Sequence, residues 1–297
     1  MARGEHPVGA RVHSESLPDV RAAAGPCRAV LIVAHPGHEL RVHHWLRLSR
    51  PRVVVLTDGS GNGRPPRLAS TARVLDDAGA TPDLLFGRFT DRAIYQALLD
   101  HRFGLFIDLA EELADLLAGG RFECVAGDAA EGFNPTHDAC RFLIDTAVKI
   151  AGRTAGVAPA NFDFLLDGPP DSCPDHLRDT AVRLMLDDAQ LERKVRAARS
   201  YPELAGEVDA ALGAHGADLF RTECLRPVEP PAIGAPAHGA RQLTTSEALP
   251  FYEQFGAARV AAGAYGRLIR RREHLDPLAA ALGRHADERI SWPRCAS

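Results

Sequence analysis

The sequence lacks the long apolar segments and the basic surplus that mark membrane-spanning and nucleic-acid-binding proteins. No stretch of its 297 residues approaches the about 20 consecutive apolar residues that a helix needs to cross a bilayer. The formal net charge is −4, whereas nucleic acids and anionic membranes attract basic surfaces. We therefore expect no membrane span and no nucleic-acid partner.

Paired cysteine motifs and a secretory leader are also missing. The six cysteines are scattered and form no CxxC pair, so we expect reduced thiols rather than a disulfide framework. The first residues, Met1 to Ala24, are polar and contain no apolar core of a signal peptide. Both observations favour a cytoplasmic protein.

Nucleotide-binding fingerprints are absent as well. Gly59, Gly61 and Gly63 follow a predicted strand, but their spacing matches neither a P-loop nor a dinucleotide-binding motif. We interpret these glycines as a flexible pocket rim, and we expect no nucleotide cofactor.

The chain does contain alternating strand and helix patterns. Apolar runs such as Ala29 to Val33 and Val53 to Leu56 are typical of strands buried on both faces, and a helical pattern follows each of them. This order predicts an α/β fold, namely a Rossmann-like, mostly parallel sheet with helices on both faces, plus a C-terminal mainly helical extension. We expect a flexible N-terminal segment over 1–26, the α/β core over 27–225, and the extension, packed on the core, over 226–297.

Histidines follow two of the predicted strands. His35 and His38 come after the first strand, and His137 precedes a helix that we expect to run from Asp138 to about Ala151. The carboxyl ends of parallel strands meet at one edge of a sheet, where ligands bind, so we expect the three imidazoles to converge. Three histidines suit a zinc ion that keeps a fourth position open. The alternative from spacing alone is that each is an exposed or hydrogen-bonded loop residue.

These two segments resemble motifs of the PIG-L/LmbE family of zinc-dependent N-deacetylases, which act on N-acetylglucosamine conjugates and related amides. Ala34-His-Pro-Gly-His-Glu39 is similar to the family's Ala-His-Pro-Asp-Asp-Glu, and Asn134-Pro-Thr-His137 is similar to its His-Pro-x-His. The resemblance implies a deacetylase-like core that binds Zn²⁺, or another divalent metal, through His35, His38 and His137. It also implies a small-molecule substrate, such as an N-acetylated sugar or conjugate, and leaves a homo-oligomer open.

Three positions depart from the family pattern. His38 stands where the family has its ligand aspartate, and imidazole is an equally good zinc ligand. Gly37 stands where the family has its general-base aspartate, and glycine cannot accept a proton. Asn134 replaces a histidine that the family uses to stabilise the tetrahedral intermediate; an asparagine amide can still donate a hydrogen bond to an oxyanion.

Other carboxylates are then candidates for proton transfer. Asp138 follows His137 directly, and its alternative role is an N-cap or first-turn acid of the next helix. Asp58 lies at the end of the second predicted strand, and its alternative role is a turn residue beside Gly59. Glu131 is a candidate for substrate hydroxyls or for proton transfer.

Two hypotheses about function follow. The first is a zinc-dependent hydrolase that removes an N-acyl group, in the first place acetyl, from an amino sugar or related amide, with catalytic roles for Asn134, Asp138, Asp58 and Glu131. The second is a metal- or substrate-binding relative without deacetylase activity. The retained ligand set favours the first hypothesis, and Gly37 favours the second.

Overall fold

The structure is a computed structural model that describes residues 27–228 and 249–289. The predicted N-terminal segment, 1–26, lies outside the described residues, and so do 229–248 and 290–297 of the predicted extension. The division of the chain at residues 26 and 225 stays a prediction.

Seven strands of the described chain form one sheet in the order β3-β2-β1-β4-β5-β7-β6. Strands β1 to β5 pair in parallel, while β7 pairs antiparallel with both β5 and β6. In chain order the strands are Ala29–Val33, Arg52–Thr57, Thr81–Phe89, Cys124–Asp128, Ala160–Phe164, Val182–Met185 and Thr222–Pro227.

Helices connect the parallel strands and continue into the C-terminal part. Labelled α1 to α9, they are His43–Ser49, Leu68–Ala78, Asp91–Leu99, Phe103–Gly120, Pro135–Ala155, Asp188–Arg199, Ala205–His215, Phe251–Ala261 and Asp276–Glu288. None of the helices in the described ranges is long and apolar enough to cross a membrane. The predicted fold class, a mostly parallel sheet with a mainly helical C-terminal part, is confirmed.

Alternate residues of each central strand face two separate apolar cores. In β1, Val30 and Ile32 belong to the core under α4 and α5, whereas Leu31 and Val33 belong to the core under α1 and α2. This period of two follows from the pleat of a strand. It explains why β1 is apolar without interruption, since both of its faces are covered.

The C-terminal helix α9 packs on the first of these cores. Leu278, Leu282 and Ala286, which share one face of the helix, are buried in the same cluster as the apolar residues of α4 and α5. Their spacing of four residues places them on one helical stripe. This part of the predicted extension therefore lies against the α/β core.

One predicted helix boundary is wrong. The helix predicted to start at Asp138 begins at Pro135, because the side chain of Asn134 accepts a hydrogen bond from Thr136 N at 2.8 Å and proline suits the first helical position. Helix α4 ends with two glycines, Gly119 and Gly120. The left-handed residue that follows the helix is Arg121, with a φ of 48°.

Candidate metal centre

The candidate site lies where the strand order of the sheet reverses. Strands β1 and β4 are neighbours, but the chain leaves β1 towards β2 on one side and reaches β4 only after β3. Connections on opposite faces separate at such a point and leave a crevice at the carboxyl ends of the strands. His35 and His38 follow β1, and His137 follows β4.

The loop after β1 is held in shape by a glycine and a buried carboxylate. Gly37 has a φ of 104°, which side-chain-bearing residues rarely adopt. Glu39 is fully buried; its Oε2 accepts a hydrogen bond from Gly37 N at 2.8 Å, and its Oε1 accepts one from the hydroxyl of Tyr201. Burial raises the pKa of Glu39. Glu39 thus fixes the short helical turn, His38–Val42, that carries His38.

The loop after β4 is fixed by the first turn of α5. Asn134 caps the helix, Pro135 begins it, and His137 lies within the first turn of the helix rather than in the loop itself. The Oδ1 of Asn134 also accepts a hydrogen bond from the hydroxyl of Tyr95 at 3.3 Å. The cap therefore sets the direction in which His137 leaves the helix.

The three imidazoles lie next to one another. The ring centroids are 5.2 Å apart for His35 and His38, 5.2 Å for His35 and His137, and 4.6 Å for His38 and His137. Each ring therefore touches the other two, although the residues come from two loops about a hundred positions apart in the chain. The three histidine side chains therefore converge, as the sequence predicts.

Buried carboxylates hold the Nδ1 atoms of two of the rings. His35 Nδ1 lies 2.7 Å from Asp91 Oδ1 and 2.7 Å from Thr57 Oγ1. His38 Nδ1 lies 2.9 Å from Asp128 Oδ2, which also accepts a hydrogen bond from Ala34 N at 2.8 Å. A carboxylate on one ring nitrogen fixes the tautomer and directs the other nitrogen towards a metal.

Polar atoms without partners remain at the centre of the cluster. His35 Nε2 and His137 Nδ1 are buried without a hydrogen-bond partner among the described residues, as are one oxygen each of Asp91 and Asp128. Buried polar atoms of this kind are uncommon in proteins and call for an explanation. A bound cation with imidazole ligands would satisfy the ring nitrogens.

The ring spacing fits such a cation, although a finished ligand set is not present. Tetrahedral ligands with Zn–N bonds of about 2.0–2.1 Å place imidazole centroids roughly 5 Å apart, close to the three observed distances. Within residues 27–228 and 249–289, however, no three His, Cys, Asp or Glu side chains are already arranged as a formed metal site. The assignment of His35, His38 and His137 as ligands stays a prediction.

The electrostatics of the cluster favour the neutral forms of His38 and His137 and give one carboxylate an unusual pKa. Burial lowers the pKa of both His38 and His137 well below the usual range, and the neighbouring imidazoles lower it further. Burial raises the pKa of Asp128 to about 7. For Asp91, burial acts upward, but hydrogen bonds with His35 and Thr57 outweigh it and the pKa is lowered.

The carboxylates predicted for proton transfer are bonded to the backbone. Asp58 Oδ1 accepts hydrogen bonds from Ser60 N at 2.9 Å and Ser60 Oγ at 2.6 Å. Glu131 accepts from Leu166 N and Asp167 N at 2.7 and 3.0 Å. Asp138 Oδ1 accepts from Gly132 N at 3.1 Å, while its Oδ2 is buried without a partner among the described residues. Burial raises the pKa of Glu131 and of Asp138 to about 7.

A side chain at position 37 would meet the side chain of Leu204. A Cβ atom built on Gly37 would lie 2.6 Å from Cδ1 of Leu204. Leu204 directly precedes α7 and packs against the core that contains Leu40 and Tyr201. The space beside this position in the loop is therefore occupied by an apolar side chain.

Sequence reasoning missed the two aspartates that hold the imidazoles. Asp128 is the last residue of β4, and Asp91 is the first residue of α3 after β3. An acidic residue directly at the carboxyl end of a buried strand was the available signal for Asp128. The pairing of Asp128 with His38, by contrast, depends on the register between β1 and β4, which the sequence does not display.

Comparison with known proteins finds likeness only among solved structures. No family model and no curated protein matches the chain. It is similar to the A40926 pseudoaglycone deacetylase Dbv21 (19% identity, 69% of this chain and 98% of that one, TM-score 0.46). It is also similar to the zinc-inhibited form of teicoplanin deacetylase Orf2 (14%, 67% and 97%, TM-score 0.46) and to the conserved protein TT1542 from Thermus thermophilus (19%, 69% and 96%, TM-score 0.46).

Proposed function

We propose that this protein is a metal-dependent hydrolase that removes an N-acyl group, in the first place acetyl, from an amino sugar or a related amide. The observation that carries the proposal is the cluster of His35, His38 and His137, in which buried carboxylates hold the Nδ1 atoms of the first two. Carboxylate–histidine pairs of this kind are typical of metal centres.

The proposed ligands are the three histidines, and the proposed metal is Zn²⁺ or another divalent ion. When bound, such an ion polarises an amide carbonyl and lowers the pKa of an attacking water. Neutral imidazoles are the form that binds a metal, and burial keeps His38 and His137 in that form. A set of three histidines carries no charge of its own, which leaves the ion more electrophilic than a set with a carboxylate.

Asn134 is the proposed donor to the oxyanion of the reacting amide. Its Oδ1 is engaged by Thr136 N and by the Tyr95 hydroxyl, so its amide NH₂ is the part of the side chain that remains to donate. A preorganised donor is worth most where charge develops in the transition state.

Asp58, Glu131 and Asp138 remain proposals for proton transfer. The backbone bonds of Asp58 and Glu131 favour a structural role for both, whereas one oxygen of Asp138 has no hydrogen-bond partner in the described part of the chain. General-base catalysis contributes about 10²–10⁴-fold. An enzyme without a carboxylate at position 37 is therefore expected to be slow but active.

The second candidate function is a metal-binding relative that lacks deacetylase activity. The observation that favours it is the packing around Gly37, where Leu204 occupies the space that a side chain would need. Under this proposal the three histidines still bind a metal, but the site binds its ligand without hydrolysing it.

Acetate release from a panel of N-acetylated amines and amino sugars tests the two candidates. The hydrolase proposal expects release by Zn²⁺-loaded protein, its loss on chelation and in His35→Ala, and no change in His176→Ala, which replaces an exposed histidine. Metal loading without turnover across the panel would support the second candidate. Turnover that survives both chelation and His35→Ala would contradict both.

A further inference from the structure

Three phenylalanines form a strip that begins at the third histidine. The ring of Phe133 lies 6.2 Å from that of His137, at an angle of 30° between the ring planes. Phe133 stacks on Phe251 at 5.0 Å and 6°, and Phe251 stacks on Phe255 at 6.0 Å and 25°. We call Phe133, Phe251 and Phe255 the phenylalanine strip.

The strip is open to solvent. The exposed fractions of its side chains are 39% for Phe133, 51% for Phe251 and 45% for Phe255. Single exposed apolar residues are ordinary, but contiguous exposed apolar groups commonly mark a binding surface. Here the three rings are in contact, so they count as one surface.

The packing of α8 fixes the exposure of two of these rings. Tyr252 and Gly256, four residues apart, lie on the buried face of the helix, and a Cβ on Gly256 would lie 3.2 Å from Leu268 Cδ1. Phe251 and Phe255, also four residues apart, share another face. Since close packing holds the first face against the core, the second cannot turn inward.

The position of the strip beside the candidate metal centre suits a group that belongs to the molecule bound there. Phe133 precedes the Asn134 cap and contacts His137, so the surface is continuous with the candidate metal centre. Phenylalanine presents only hydrocarbon faces and edges, which suit stacking on another aromatic ring. The strip also continues for two rings beyond Phe133.

We propose that the phenylalanine strip binds an aromatic group of the substrate. Because the acyl group of the proposed function is acetyl, which carries no ring, this aromatic group is attached on the amine side of the scissile amide. This inference rests on the proposed function and narrows its substrate class, from N-acylated amines in general to those that carry an aryl substituent. The amide is then held at the histidines while the aryl group lies along Phe133, Phe251 and Phe255.

A matched pair of ligands tests the inference without turnover. Binding of the 2-naphthyl and the methyl glycosides of N-acetylglucosamine is measured by calorimetry on the full chain. We expect the naphthyl compound to bind the wild type about tenfold more tightly, since a stacked aromatic pair is worth roughly a 2- to 10-fold change in affinity. Phe251→Ala/Phe255→Ala should remove this preference, whereas Phe251→Leu, which keeps an apolar side chain, should lose only part of it.

The control is Leu84→Ala, which removes an exposed apolar side chain on β3 and should leave the preference unchanged. Equal binding of both glycosides to the wild type, as expected if another part of the chain or a second copy covers the strip, would overturn the inference. So would a preference that persists in the double variant. The two glycosides are also measured on His35→Ala, which removes a proposed metal ligand. We expect the preference for the naphthyl glycoside to persist in this variant, so a failure of the proposed function can be distinguished from a failure of this inference.

Discussion

The imidazoles and the carboxylates at this edge of the sheet differ in which of their polar atoms already have hydrogen-bond partners. Nδ1 of His35 and of His38 is held by a buried aspartate, and Nε2 of His35 is left without a partner among the described residues. Asp58 and Glu131, at the same edge, instead use their oxygens on backbone amides and a serine hydroxyl. The imidazole cluster is therefore arranged to bind something, while these two carboxylates are arranged to hold loops.

This difference shows why residue type alone is a weak guide to role. A carboxylate near a ligand edge is equally suited to a turn, a cap or a catalytic step, and its partners decide which. An imidazole with one anchored and one unengaged nitrogen has fewer structural uses, because the unengaged nitrogen is costly to bury. The geometry at the histidines thus suits ligand binding, whereas the oxygens of Asp58 and Glu131 are already engaged by the backbone.

The largest expected effect comes from removing the aspartates that hold the imidazoles. Asp91→Asn or Asp128→Asn keeps the shape of the side chain but removes its charge, and we expect each to weaken metal affinity by about 10–100-fold. Competition with a chelator of known affinity measures the change. Asp58→Asn is the matched control and should leave metal affinity unchanged. Equal losses of affinity in all three variants would contradict the different roles assigned to the aspartates that contact the imidazoles and to Asp58.

The next effect concerns the glycine between the two histidines of the β1 loop. Gly37→Ala should lower the free energy of unfolding by about 1–3 kcal/mol, because φ at this position is 104° and an ordinary side chain is strained there. Urea unfolding followed by circular dichroism measures it. Adding Leu204→Ala should relieve the clash with Cδ1 but not the backbone strain. The double variant should therefore lose less free energy of unfolding than the two single variants together, and a larger loss would contradict this account.

The sequence predicted those parts of the site that depend on short, local patterns of residues. The apolar run of β1, the histidines after two predicted strands and the repeated strand-helix order are local signals. They predicted the fold class and the convergence of His35, His38 and His137. The pairing of His35 with Asp91 and of His38 with Asp128 joins residues far apart in the chain. Such pairs depend on strand register, which no local pattern contains.

The antiparallel edge of the sheet was missed for a different reason. Strand β6 is only the four residues Val182–Met185, and β7, Thr222–Pro227, mixes polar and apolar residues. Short mixed segments carry little periodic signal. Glu223 in β7 nevertheless matters for the loop after β1, because it accepts hydrogen bonds from His44 N and Trp45 N in the first turn of α1.

A smaller effect is a pH dependence of stability from Glu131. Burial raises its pKa in the folded protein to about 7, above the usual 4.5, so folding favours the protonated form. Its contribution to stability is therefore full below about pH 4.5 and is lost as the pH rises towards 7. Glu131→Gln should remove about 1–2 kcal/mol of this pH dependence, with partial solvent screening included.

Urea unfolding of wild type and Glu131→Gln at about pH 5 and about pH 8, on either side of the raised pKa, isolates this contribution. The control is Glu207→Gln, an exposed glutamate on α7 that pairs with exposed Arg64. If Glu131→Gln instead leaves the pH dependence unchanged while lowering turnover, Glu131 acts in proton transfer and its role as a loop anchor is wrong.

Zinc binding to the three histidines tests the central claim most directly. Metal-free protein titrated with Zn²⁺ should bind one ion per chain, and His35→Ala, His38→Ala and His137→Ala should each lose this tight binding while remaining folded by circular dichroism. The exposed-histidine control His176→Ala should bind as the wild type does. A wild-type chain that binds no Zn²⁺, or three variants that bind it as tightly as the wild type, would contradict the account.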